Sequence, residues 1–204
     1  MQYLCEVMHD IEPHFQWRSV YTAETDSRSP FYGRKYNEFG FDNKLYNFYL
    51  HPQWDAFGSS TLYAKLLYVD YDEQVALIEL IGEWNDVLHN DIMLLRRNVT
   101  DPLMEEGIVK FAFFCEHVLN FHADLDDDYY EEWAEELEEE GGWIVLINTR
   151  IHVEEELEEA DLDRFLHFGS HYNQLLWQTQ KPLLVFQMIE ALVTGRVKRL
   201  GTAD

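Results

Sequence analysis

The sequence predicts an α/β protein on a mixed sheet: an antiparallel hairpin, then parallel strands joined by crossover helices, with an aromatic N-terminal extension and C-terminal helices. Three observations predict it. Residues 61–69 and 74–81 are β-prone runs separated by Asp70-Tyr71-Asp72-Glu73, whose acids favour a turn. Residues 108–115 and 143–148 are short, almost wholly apolar runs, the pattern of strands covered on both faces. Amphipathic segments lie between and after them, and strands alternating with helices imply parallel pairing through right-handed crossovers.

Residues 1–60 hold 14 of the 31 aromatic side chains, including Phe31, Tyr32, Tyr36, Phe39, Phe41, Trp54 and Phe57, broken up by Pro13, Pro30, Gly33, Gly40 and Pro52. That mixture predicts turns and short strands, with residues 45–51 as the best strand. After Gly82, Leu88, Ile92, Leu95, Val99 and Leu103 recur at helical spacing and predict one buried face. Trp84, Asn85 and Asp86 are suited to capping that helix. Pro102 lacks an amide donor and crowds the carbonyl of Asn98, so it kinks or restarts the helix before Gly107 stops it.

A second helix, capped by Asp126, places Tyr130, Trp133 and Leu137 inward and ends at Gly141-Gly142. Val153, Leu157 and Ala160 line a third. Residues 170–180 are predicted helical, and Pro182 opens a clear helix through Val193 to Gly195, followed by the basic tail Arg196, Lys198, Arg199. With no internal repeat and no Gly/Ser linker, three parts are expected: residues 1–60 packed on the core, a core over 61–169, and a helical extension over 170–204.

From residue 61 to about 169 this order of elements resembles the STAS fold of anti-sigma-factor antagonists. Val75-Ala-Leu-Ile-Glu-Leu-Ile-Gly82-Glu83, followed by Asp86, is similar to the family's strand ending in a Gly-Glu-Leu-Asp turn. Ile108-Val-Lys-Phe-Ala-Phe-Phe is like its central strand. Trp143-Ile-Val-Leu-Ile-Asn148, a short helix and Asp161-Leu-Asp-Arg-Phe-Leu166 look like its final strand, helix and Leu-Asp segment. The resemblance implies a regulatory protein that works by binding other proteins, switched by a phosphorylated serine after the central strand. The corresponding stretch, Glu116-His-Val-Leu-Asn120-Phe-His122-Ala-Asp124, has no serine or threonine, so that switch is not carried over. Asp126, Asp127 and Asp128 would repel a phosphate there; they either imitate a permanently phosphorylated loop or simply favour the helix dipole.

Charge narrows the partners. The net charge is −24, of which residues 124–163 carry −17 with Arg150 as their only basic side chain. Such a surface repels nucleic acid and anionic membranes and attracts basic protein patches. Asp126, Asp127, Asp128, Glu131, Glu132, Glu135, Glu136 and Glu139 are therefore the candidate partner-binding residues, with a solvated face that only confers solubility as the alternative. Like charges at i,i+4 along this helix each cost a few tenths of a kcal/mol, so local stability does not explain them.

The alternative function is a small-molecule- or metal-dependent enzyme, its site at the end of the central strand formed by Glu116, His117, His122 and Asp124, with His117, His122 and Asp124 as metal ligands. Asp124, Asp126, Asp128 and Glu135 also occupy positions one, three, five and twelve of an EF-hand loop. Tyr129 stands where that loop needs glycine, which leaves only loose surface binding of divalent cations. No other cofactor is expected: the phosphate-binding glycine motifs, the Gly-x-Ser-x-Gly elbow and the His-Glu-x-x-His motif are absent. Cys5 and Cys115 are too few for a disulfide framework. No stretch has the length of a membrane span and the N-terminus lacks signal-peptide features, so a cytoplasmic protein is expected, homo-oligomeric through its aromatic N-terminal segment.

Overall fold

The structure is a computed structural model that describes residues 11–37, 40–124 and 128–200, with side chains as far as 195. Its frame is a four-stranded sheet in the order β3-β4-β5-β6. Strands β3 (Leu62–Asp70) and β4 (Val75–Asn85) form the antiparallel hairpin; β5 (Lys110–His122) and β6 (Trp143–Ile147) add in parallel. Two short strands, β1 (Lys44–Leu45) and β2 (Phe48–Tyr49), precede them. They replace the single strand expected over 45–51, because Tyr46 adopts a left-handed conformation (φ 53°) and turns the chain back on itself.

Alternation along the strands gives the sheet two apolar faces. On the first, Ala76, Ile78, Leu80, Phe111, Phe113, Ile144 and Leu146 pack against helices. The crossover from β4 to β5 runs through α1 (Asp86–His89), α2 (Asp91–Leu95), a π-helical turn (Arg96–Thr100) and α3 (Asp101–Glu105). Ile92, Leu95, Val99 and Leu103 are fully buried as the spacing predicts, but Leu88 is 74% exposed. Asn90 in the left-handed region (φ 49°) separates α1 from α2 and rotates Leu88 off the common face. Pro102 falls at the start of α3, and the widened turn just before it accommodates the missing donor. Helices α4 (Tyr129–Glu139) and α5 (Ile151–Glu159) complete this layer through Tyr130, Trp133, Leu137, Val153 and Leu157.

The second face, carrying Val75, Leu77, Ala112, Phe114, Val145 and Ile147, is covered by Trp17, Tyr172, Trp177 and α6 (Pro182–Leu200). Residues 170–180 are not helical. Trp177 stacks on Phe114 with ring centroids 3.8 Å apart, and Asn173 bonds both the N–H and the carbonyl of Thr149, so the segment follows the sheet surface and not its own hydrogen-bond ladder. Helix α6 runs through Gly195 and does not stop there. In the N-terminal segment Trp17, Phe31, Trp54 and Phe57 are buried within the chain's own core.

Candidate functional site

Helix α4 is held from inside by aromatic packing, with the Trp133 ring 5.7 Å from Phe111 and 6.0 Å from Phe113. Its first turn is tied to the sheet by a buried carboxylate at the end of β4. Asp86 accepts from the Tyr130 hydroxyl (2.7 Å), Trp84 Nε1 (3.1 Å) and the N–H of Ile92 (2.8 Å), linking β4, α2 and α4. Burial pushes Asp86 up to about 7, with neighbouring Asp91 adding to the rise. Asn85 caps α1 by accepting from the N–H of Leu88, as its position predicts.

With α4 fixed this way, its acids divide into two rows. Glu136 accepts from Arg96 at 2.7 Å and Glu132 lies 4.0 Å from the same guanidinium, which is itself nearly buried beside the helix. Glu131, Glu135 and Glu139 face solvent, with no cationic partner among the described residues. Asp128 sits at the N-cap, exposed and without a capping bond from its side chain. Asp126 and Asp127, and with them the expected Asp126 cap, lie outside the described residues. A cleft of about 200 Å³ runs beside this end of α4, lined by Asp124, Asp128, Glu131, Asp161 and Arg164 over a floor that includes Tyr130 and Phe165.

The strand-end enzyme site is not assembled. The stretch expected as a loop continues β5 as far as His122, with two register shifts against β4 that absorb extra residues. His117 is drawn to Glu79 on β4, its Nε2 3.9 Å from Oε1, while His122 lies five residues further along beside Glu83. Glu116 is engaged through Oε1, which accepts from Asn148, Trp177 Nε1 (3.3 Å) and Gln178 (2.7 Å). Asp124 lines the acidic cleft instead. Among the described residues no group of three His, Cys, Asp or Glu side chains is placed to hold a metal ion, and His117, His122 and Asp124 are not brought together.

In its place the second face carries a buried polar seam that crosses β3, β4 and β5. Lys65 and Glu79 stand directly opposite each other in the β3–β4 register and are both buried. Lys65 turns away to Asp55, at 3.3 Å; Asp55 also binds Arg34 (3.1 Å) and the Tyr36 hydroxyl. Burial pushes Asp55 up and Lys65 down, against the pull of each on the other. Glu79 is left with the backbone N–H of His14 (2.8 Å) and the nearby His117 ring. Burial pushes Glu79 up to about 7 and lowers His14 and His117. Lys65 and Glu79 are legible in the sequence as lone charges inside apolar strands; His14 carries no such signal.

The chain is similar over about half its length to solved anti-sigma-factor antagonists. One, from Thermotoga maritima, shares 18% identity over 52% of this chain and 82% of its own, with a TM-score of 0.38. The NMR structure of that protein gives 20% identity over 50% and 77%, with a TM-score of 0.34. SpoIIAA in its unphosphorylated form gives 15% identity over 52% and 88%, with a TM-score of 0.39. No protein-family model matches the chain, and no curated protein sequence matches it. The hairpin, parallel strands and crossover helices expected from the STAS resemblance are present, in strand order β3-β4-β5-β6. No helix among the described residues is long and apolar enough to cross a membrane.

Proposed function

We propose that this is a non-catalytic regulatory or scaffold protein that binds another protein through the outer face of α4, with a basic surface on the partner. The observation that carries this reading is the split between the two rows of acids. Arg96, shared with Asp101, offsets part of the charge of the inner row, whereas Glu131, Glu135 and Glu139 repel one another at i,i+4 with no described cation to offset them. A rigid, aromatic-anchored helix presenting one sign of charge steers a complementary surface towards it and fixes its register.

The test is capture from an extract of the source cell with three proteins: wild type, a Glu131→Lys/Glu135→Lys/Glu139→Lys variant, and a Glu105→Lys/Glu106→Lys control on another exposed segment. Wild type and control are expected to retain the same proteins at about 50 mM salt and to release them towards about 300 mM, as screening predicts. The α4 variant is expected to lose them. Equal retention by the α4 variant overturns the proposal. All three substituted side chains on α4 are exposed, so the unfolding free energy measured in urea should change by less than about 0.5 kcal/mol.

A further inference from the structure

Residues 11–19 form a strap across the second face of the sheet, ending in a short 3₁₀ turn, Gln16–Ser19. Trp54 Nε1 donates to the carbonyl of Ile11 at 2.7 Å, and three further contacts fasten it. Trp17 is buried and donates to the carbonyl of Gln180 at 2.8 Å. The His14 ring packs edge-on between Trp17 (4.9 Å) and Trp177 (4.8 Å). The third contact is to a buried acid: the N–H of His14 donates to Glu79, a carboxyl 4% exposed beneath the strap.

The groups facing Glu79 leave it without a committed cation. On β3, Lys65 is bound to Asp55. On β5, His117 lies 3.9 Å away and Glu116 adds negative charge; on the strap, Arg18 is paired with Glu12. The segment from the C-terminal side contributes only the neutral donors Trp177 and Gln178, and both serve Glu116. Beside His14 and Lys65 lies a cavity of about 20 Å³, roughly the room for one water molecule.

We propose that Glu79 is a proton-operated latch that holds residues 11–19 against the sheet and lets them open as it ionises. This inference is independent of the acidic face on α4. Opening the strap hydrates Glu79, and a hydrated carboxyl ionises near its ordinary value of 4.5, whereas under the strap it does so at about 7. A raised carboxyl favours the closed state while it is protonated, so closure is strongest at low pH as far as Glu79 is concerned and weakens as pH rises through about 7. His14 and His117, both lowered by burial, act in the opposite sense: they oppose closure as pH falls below their ordinary value. The two histidines therefore offset part of the Glu79 effect where the ranges overlap.

Hydrogen exchange of the full chain, corrected for the intrinsic pH dependence of exchange, reads this directly. Glu79→Gln keeps an acceptor for the His14 N–H without the charge and keeps both histidines, so the difference between the two proteins isolates Glu79. Between about pH 6 and pH 8 the opening equilibrium of residues 11–20 in the wild type is expected to rise on the order of tenfold relative to Glu79→Gln, with no matching change in β5. The same pH dependence in both proteins overturns the latch. If the variant does not fold, a ¹³C titration of the Glu79 carboxyl in the wild type decides: a value near 7 supports the latch and one near 4.5 overturns it.

Discussion

Replacing Gly82 by alanine is expected to cost about 3 to 5 kcal/mol, enough to leave little folded protein from a domain of ordinary stability. Gly82 stands opposite Leu62 in the β3–β4 ladder with φ +126°, a conformation that side chains rarely adopt. A Cβ there would also fall inside the contact distance of the Thr61 carbonyl oxygen, which accepts from the N–H of Glu83 at 2.9 Å. Neither backbone can retreat without parting the end of the hairpin. The residues that follow, Trp84, Asn85 and Asp86, build the junction between sheet and helices, so the damage spreads. Gly107→Ala supplies the comparison: its φ is +88° but nothing lies within 4 Å, and only the conformational penalty of about 1 kcal/mol remains. Urea midpoints of the two variants measure the difference. Equal losses would mean that the approach of Thr61 is not what Gly82 is needed for.

How far the fold was legible depends on which force placed each element. Helix α4 and strand β6 are set by apolar period and burial, and both stand where the pattern put them, with Tyr130, Trp133 and Leu137 inward. The apolar run predicts a strand only as far as Cys115, because Glu116, His117, Asn120 and His122 break it, whereas β5 continues to His122. These side chains are accommodated by long-range partners, Asn148 and Gln178 for Glu116, Glu83 for Asn120, which no local period reveals. Residues 170–180 erred the other way. Tyr172, Leu175 and Leu176 have helical spacing, yet Leu176 is 76% exposed, and the segment takes its shape from Trp177 stacking on Phe114 of β5 and Asn173 bonding Thr149 just past β6. For the candidate site, the outer acids of α4 were legible from charge counting alone. That Arg96 pairs with Glu132 and Glu136 but not with the outer row is a tertiary fact, and so is the seam beneath the strap.

Two substitutions of Asp86 are expected to separate its hydrogen bonding from its charge. Asp86→Ala strands the Tyr130 hydroxyl, Trp84 Nε1 and the Ile92 N–H in the core and should cost about 3 to 5 kcal/mol. Asp86→Asn keeps an acceptor for Trp84 and Ile92, and its amide donates to the Tyr130 oxygen, so its cost should be smaller and should depend on pH. Asp86 is raised from 3.8 to about 7 by burial. Its protonated form is the one the fold favours, so that contribution is fully present below about pH 4 and is lost as pH rises to about 7, on the order of 4 kcal/mol in all. Asp91, also raised by burial, adds to the loss in the same direction. In urea unfolding, wild type should therefore exceed Asp86→Asn at about pH 5, and the gap should close or reverse at about pH 8. A constant gap would show that Asp86 titrates alike in the folded and unfolded chain. The same pair bears on binding: because Asp86 anchors the first turn of α4, Asp86→Ala should weaken partner retention along with stability, while Asp86→Asn, with the outer row still in register, should retain it.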